Sequence, residues 1–109
     1  MEIPYELLMS QLSKELSMND AQINWSGCDV FLPFLERIKA EKSTVVIKLD
    51  GLRKLEQGES PYTVVISAGG LGEDFIRIDA RSIEGALAYA VINYAQRCWR
   101  FNTDGNRIS

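Results

Sequence analysis

Three short segments in the second half of the chain alternate apolar and polar side chains with a period of two. They span residues 43–50, 62–67 and 75–80, and connections containing Gly, Pro, Asp or Ser separate them. A period of two places every second side chain on one face of a β-strand, and β-branched residues favour that conformation. The pattern therefore predicts an antiparallel sheet built from these three segments.

Helical spacing of apolar residues precedes this predicted sheet. A first helix is predicted from Pro4 to about Met18, with the proline in the first turn, where its missing N–H costs nothing. A second helix is predicted over residues 31–42, and Pro33 must lie in its first turn. Between them, residues 21–27 alternate over a shorter stretch and would add a fourth strand.

The strongest helical pattern follows the last strand. Ser82 suits an N-cap, and a small-residue face with larger apolar residues at helical spacing extends to Cys98. The predicted fold class is α+β: a three- to four-stranded antiparallel sheet packed on a long C-terminal helix, with two N-terminal helices. Residues 1–101 are predicted to form a single domain, and residues 102–109 a polar C-terminal tail.

The alternation also sorts the strand residues onto two faces of the sheet. One face is predicted to pack on the last helix, through Val45, Ile47, Val64, Ile66, Ile76 and Ile78. The other face is about half apolar and contains Val46, Lys48, Thr63, Val65, Ser67, Phe75 and Arg77. Either the second helix or a partner must cover it, and the second helix is favoured because it has its own apolar stripe to bury.

Composition and charge exclude several functional classes. The chain contains no His, which excludes His-based triads and His-ligated zinc. The net charge is −3, and the first 36 residues carry six acidic side chains against Lys14 alone. Cys28 and Cys98 fit no metal or redox spacing, so free thiols and a cytoplasmic location are expected. No signal peptide or membrane-spanning run is recognised, since the longest apolar run covers only residues 86–92.

Two segments resemble ligand-binding motifs of other proteins, but a structural role explains each of them better in this chain. The glycine-rich segment 69–72 lies between two predicted strands and is followed by acidic residues, so it predicts a tight turn rather than a phosphate-binding loop. Basic and aromatic side chains interleave only over residues 97–101, too briefly for a nucleic-acid interface on an acidic chain. We therefore expect no cofactor, no metal, no nucleic acid and no membrane as a partner.

Arg77 has two open interpretations. It lies two residues before Asp79, so both side chains share one face of the predicted strand and could form a structural ion pair. Alternatively, Arg77 is a recognition charge on an uncovered face of the sheet.

The segment from residue 43 to residue 98 resembles small bacterial immunity proteins of contact-dependent growth-inhibition and polymorphic toxin systems. The resemblance rests on the order of a strand, a charged hairpin, YTVVIS, a glycine-rich turn, DFIRID, SIEGAL and an alanine-rich helix. It implies a non-enzymatic cytoplasmic protein that neutralises a cognate toxin domain, and an acidic surface would complement a basic nuclease toxin. The candidate partner-binding residues, chosen mainly because connecting loops often carry recognition, are Glu56, Glu59, Glu73, Asp74 and Arg77.

Two other functions remain open from the sequence. A secretion chaperone for an effector protein is also small and acidic, and is often dimeric. A small carboxylate-based enzyme or ligand-binding module would need a pocket and a carboxylate with a raised pKa.

Overall fold

The computed structural model describes residues 5–16 and 27–101, with side chains from residue 7 onward. Three α-helices and three β-strands follow one another as α1 (Tyr5–Glu15), α2 (Leu32–Ala40), β1 (Ser43–Leu49), β2 (Tyr62–Ala68), β3 (Phe75–Ala80) and α3 (Ile83–Cys98). Short 3-10 turns occupy Asp29–Phe31, Leu55–Gln57 and Gly69–Leu71. The predicted α+β class is confirmed. The predicted strand over residues 21–27 and the predicted tail over residues 102–109 fall on segments outside the described residues, except for Gly27.

The sheet is an antiparallel meander in the order β1-β2-β3. Val45 lies opposite Ile66, and Ile66 lies opposite Ile76, so apolar residues line up across all three strands. This register places alternate residues of every strand on the same face, as the period of two predicts. The three strands begin and end close to the predicted boundaries.

Helix α3 covers one face of the sheet and forms the centre of the core. It packs on β2 and β3, where Val64, Ile66 and Ile76 are at most 3% exposed. Its inward side carries mainly small residues that let the helix approach the strands closely: Ala86, Ala88, Ala90, Val91 and Ala95. The face of the sheet under α3 is called the covered face below.

Helix α3 leaves much of β1 uncovered, which corrects one expectation from the sequence. Ile47 was expected to pack under the last helix but is 43% exposed, and Leu49 on the same face is 66% exposed. The reason is geometric. A helix is about 10 Å wide and strands lie about 4.8 Å apart, so a helix centred on two strands leaves the third uncovered. Helix α2 lies beside the beginning of β1, where Ser43 is 5% exposed, and the later residues of β1 stay exposed.

The ends of the helices agree with the local sequence signals. Ser82 caps α3, because its hydroxyl oxygen accepts a hydrogen bond of 3.0 Å from the Gly85 amide. Pro33 lies in the first turn of α2, as predicted. Helix α1 packs on α3 through Leu8, Met9 and Leu12. No helix within residues 5–16 and 27–101 is both long and apolar enough to cross a membrane.

Candidate functional site

No described helix covers the face of the sheet opposite α3; at one end of this face Thr63 is 3% exposed, beside Asp79 and Arg53 of the β1–β2 connection. This open face consists of nine side chains, three from each strand: Thr44, Val46, Lys48, Thr63, Val65, Ser67, Phe75, Arg77 and Asp79. Phe75 is 60% exposed and Val46 is 53% exposed, while Val65 between them is half-buried. Large apolar side chains on a flat, exposed sheet are typical of an interaction surface.

The expectation that the second helix covers this face is wrong. Helix α2 buries Phe34 and Ile38 in the same core as α3, on the other side of the sheet. A two-residue turn at Glu41 and Lys42 joins α2 directly to β1, and hydrogen bonds from the cluster described below hold Glu41 against α3. The apolar side chains of α2 are therefore buried in the core, and the helix does not cover the open face.

One end of the open face is charged. Asp79 accepts a hydrogen bond from the Thr63 hydroxyl, and its carboxylate lies 3.3 Å from the Arg77 Nε and 3.4 Å from the Arg53 Nη1. The Thr63 hydrogen bond, together with the nearby guanidinium groups, lowers the pKa of Asp79 below its ordinary value. The expected ion pair between Arg77 and Asp79 is thus present, and Arg77 remains about half exposed beside it.

The same end extends into the connection between β1 and β2. Asp50 lies 3.7 Å from the Lys48 Nζ and 3.4 Å from the Arg53 Nε. Arg53 also donates a 3.1 Å hydrogen bond to the carbonyl of Ser60, which ties the connection to itself. We call Lys48, Asp50, Arg53, Arg77 and Asp79 the charged end. It holds three cations and two carboxylates, so it is not the acidic surface that the charge pattern suggests.

The five residues predicted to bind a partner do not form one patch. Glu56 and Glu59 lie in the β1–β2 connection, whereas Glu73 and Asp74 lie in the β2–β3 connection. In an antiparallel meander these connections stand at opposite ends of the sheet, and a seven-residue strand separates them by about 20 Å. Arg77 lies between the two ends on the open face. All four carboxylates are exposed.

Glu59 also has a structural contact. One of its carboxylate oxygens accepts a 2.7 Å hydrogen bond from the Lys54 amide, and the Glu59 amide donates to the Lys54 carbonyl at 3.1 Å. Arg81, at the end of β3, donates a 3.1 Å hydrogen bond to the carbonyl of Leu55. The β1–β2 connection is therefore tied both to itself and to the neighbouring strand end.

A second constellation was not predicted from the sequence. The Glu41 carboxylate accepts hydrogen bonds from the Tyr94 hydroxyl at 2.8 Å and from the Trp99 indole N–H at 2.9 and 3.0 Å. Arg37 lies 3.8 Å from the carboxylate and stacks 5.1 Å from the Trp99 ring centre. The Tyr94 hydroxyl also lies 3.2 Å from the Ser43 hydroxyl. These five residues are the Glu41 cluster.

The pKa values of two groups in and beside the Glu41 cluster are raised, so both groups stay protonated at neutral pH. Burial raises the pKa of Tyr94 to about 12, and burial also raises the pKa of the Cys98 thiol. A raised pKa keeps a thiol protonated and therefore weakly nucleophilic. Burial is likewise the main cause that raises the pKa of Cys28, and both cysteines are free and half-buried.

The other sequence patterns considered for a chemical role, the glycine-rich segment and the basic–aromatic segment, have structural roles. The glycine-rich segment forms the 3-10 turn Gly69–Leu71 between two strands, not the start of a helix. Phe101 is buried and Trp99 is half-buried against Glu41, so this pair does not form an open stacking platform. Within residues 5–16 and 27–101, no three His, Cys, Asp or Glu side chains are grouped so that they could hold a metal ion.

The described residues thus define a small α+β domain with one face of its sheet open. The chain finds no match among protein-family models, curated proteins or solved structures.

Proposed function

We propose that this chain is a non-enzymatic protein-binding domain that docks a folded partner on its open face. The observation that carries the proposal is the exposure of Phe75 and Val46 on a regular sheet surface, with Val65 between them. An apolar centre surrounded by polar and charged groups is the usual anatomy of a protein interface. Aromatic residues at such centres commonly contribute most of the binding energy.

The distribution of charge suggests how a partner would be oriented. The charged end of the open face has a small excess of cations, while Glu73 and Asp74 lie at the opposite end of the sheet. A partner of standard interface size spans about 30 Å, which is enough to contact both ends at once. Arg77 would then lie near the middle, and basic groups of the partner would face Glu73 and Asp74.

We further propose that the partner is a toxin domain and that binding neutralises it. This step is supported by the resemblance of residues 43–98 to bacterial immunity proteins. The net charge of −3 would steer a basic nuclease toward the chain at long range, and Glu73 and Asp74 would contact it. A protein of this kind would act in the cytoplasm and would need no cofactor.

The test is co-expression with the variable C-terminal domain of a large secreted protein encoded next to this chain. The expected result is a one-to-one complex and protection of the cell from that domain. Phe75→Ala should weaken binding about 30-fold, which corresponds to about 2 kcal/mol at an interface hot spot. Leu7→Ala is the matched control, because Leu7 is 51% exposed on α1 and lies off the open face.

Three results would contradict the proposal. The toxin assignment fails if no complex and no protection are observed. The open face is the wrong surface if Phe75→Ala binds as tightly as Leu7→Ala. Binding of an unfolded effector segment, with no affinity for a folded domain, would instead favour the secretion chaperone.

A further inference from the structure

The outer edge of β1 has no strand beside it among the described residues. The Asp50 amide donates a 2.8 Å hydrogen bond to the Pro61 carbonyl, so position 50 turns its backbone groups toward β2. In an antiparallel pair this direction alternates, so the backbone groups of Thr44, Val46 and Lys48 also face β2. Those of residues 43, 45, 47 and 49 therefore point outward. Of these, Val45, Ile47 and Leu49 present unpaired donors and acceptors, whereas Ser43 is only 5% exposed.

The part of this edge beyond Ser43 lacks the prolines and bulges that often prevent strand pairing. The strand STVVIKL contains no proline, its register with β2 is continuous, and Lys48 is its single charged residue. Protected edges typically carry prolines, bulges, charges such as lysine, or a covering helix; here Lys48 is the one charge, and α2 lies beside the strand only at its beginning. In addition, Ile47 and Leu49 lie on the α3 side of the sheet but beyond the helix, and they are 43% and 66% exposed. The edge and its side chains thus form an apolar, pairing-competent surface.

The two ends of β1 are complementary in shape. At its beginning, β1 and α2 form a groove of about 430 Å³ that is lined by the apolar side chains of Leu32, Leu35 and Val45 together with Glu36, Lys39, Ser43 and Thr44. Leu32 is 53% exposed there. At its other end, Leu49 stands out from the sheet on the same side as the Val45 side chain. One end of the strand therefore offers a cavity, and the other offers an apolar side chain.

We propose that β1 pairs with β1 of a second copy, antiparallel, about a two-fold axis at Val46. This register pairs the backbone of Val45 with that of Ile47 of the other copy, and it places Leu49 beside the buried Ser43 of the other copy. It brings Leu49 of each copy to the α2–β1 groove of the other. The interface is isologous and closed, as a two-fold dimer requires.

Charge complementarity supports the same register. One position beyond each end of the ladder, Lys42 of one copy comes next to Asp50 of the other. Lys42 is exposed, and Asp50 is only half-buried beside Lys48. The dimer joins two meanders into one six-stranded sheet and makes their open faces continuous. The inference does not rest on the proposed function. The two surfaces share Val46, which lies on the dimer axis, whereas Phe75 lies on β3, at the far edge of each sheet.

Sedimentation equilibrium of the full chain tests the assembly. The expected species has about twice the 12.3 kDa mass of one chain. Leu49→Lys should halve that mass by placing a charge against Leu32, Leu35 and Val45 of the other copy, whereas Leu7→Lys, the same change at a similarly exposed residue, should leave it unchanged. Circular dichroism of both variants establishes that the fold is retained.

Disulfide trapping tests the register. In the proposed dimer the two Val46 residues form a non-hydrogen-bonded pair about 4.5 Å apart at Cα, within disulfide range, so Val46→Cys should cross-link under oxidised glutathione. Thr44→Cys is the matched control, because its two copies would be about 14 Å apart and should not cross-link. The wild-type chain controls for Cys28 and Cys98.

A wild-type chain that stays monomeric at all concentrations would overturn the dimer. A dimer unaffected by Leu49→Lys would place the interface elsewhere. Equal cross-linking of Thr44→Cys and Val46→Cys would overturn the register.

Discussion

Replacing Glu41 by Ala should destabilise the fold more than its position in a turn suggests. The substitution removes the acceptor for the Tyr94 hydroxyl and for the Trp99 indole N–H. A hydrogen bond to a charged group contributes about 1.5–3 kcal/mol, so two such bonds set an upper range of about 3–6 kcal/mol. The carboxylate joins the end of α2 to the end of α3, so the loss should appear as a lower free energy of unfolding of the whole domain.

Three features of the site reduce that upper range. The Glu41 side chain is 36% exposed, so water already weakens its electrostatic contacts. The Tyr94 hydroxyl keeps the Ser43 hydroxyl as a partner at 3.2 Å, and the half-buried Trp99 can reach water. The Arg37 contact at 3.8 Å adds little. We therefore expect a loss of about 2–3 kcal/mol, a large part of the stability of a domain of this size.

Urea unfolding followed by tryptophan fluorescence and circular dichroism measures this loss. Glu36→Ala is the matched control. It removes a carboxylate from the same helix that pairs with Lys39 at 2.8 Å, but both side chains are about 70% exposed, so the loss should stay below about 0.5 kcal/mol. A double-mutant cycle of Glu41→Ala with Tyr94→Phe should give a coupling of about 1 kcal/mol. Equal losses for the two glutamates, or zero coupling, would refute the stabilising role of the cluster.

Three further predictions follow from single sites. Ser13 is fully buried and its hydroxyl has no hydrogen-bond partner among the described residues, so Ser13→Ala should raise the free energy of unfolding by about 1 kcal/mol in urea titrations. Gly69 has a φ of +57°, and an added Cβ would lie 2.7 Å from the Glu41 carbonyl oxygen; Gly58 has a φ of +78° in the left-handed helical region, with open space around it. Thermal unfolding should therefore show a loss of about 3 kcal/mol for Gly69→Ala and about 1 kcal/mol for Gly58→Ala, and equal losses would exclude the close approach as the cause. Burial raises the pKa of Tyr94 from its ordinary value of 10 to about 12, so the folded state keeps this proton at a pH where the unfolded state loses it. The free energy of unfolding should therefore be unaffected below pH 10 and should fall between pH 10 and 12. Unfolding measured against pH should lose this slope in Tyr94→Phe.

The elements of this fold could be predicted because their signals are local. The alternation over residues 43–50, the N-cap at Ser82 and the proline at the start of α2 each act within a few residues, and the structure confirms them. Which face of the sheet α2 covers is not a local property. It depends on a two-residue turn and on contacts of Glu41 with residues more than 50 positions away.

The candidate site shows the same limit. The pairing of Arg77 with Asp79 follows from their spacing of two along one strand, so the sequence predicts it. The sequence also identifies loop carboxylates such as Glu56 and Glu73, but only the topology shows that their connections lie at opposite ends of the sheet. In the Glu41 cluster, only the spacing of four between Arg37 and Glu41 is visible locally; Tyr94 and Trp99 join through tertiary packing.

The meander order of the sheet has a consequence for how the chain folds. Each strand pairs with its neighbour in sequence, and α3 follows directly to cover β2 and β3. Contacts between neighbouring segments close short loops, and such topologies reach their transition state quickly. Helix α1 instead docks on α3 across most of the chain length. We therefore expect residues 43–98 to form the nucleus and α1 to attach late, so that substitutions at Leu12 accelerate unfolding while leaving the folding rate almost unchanged.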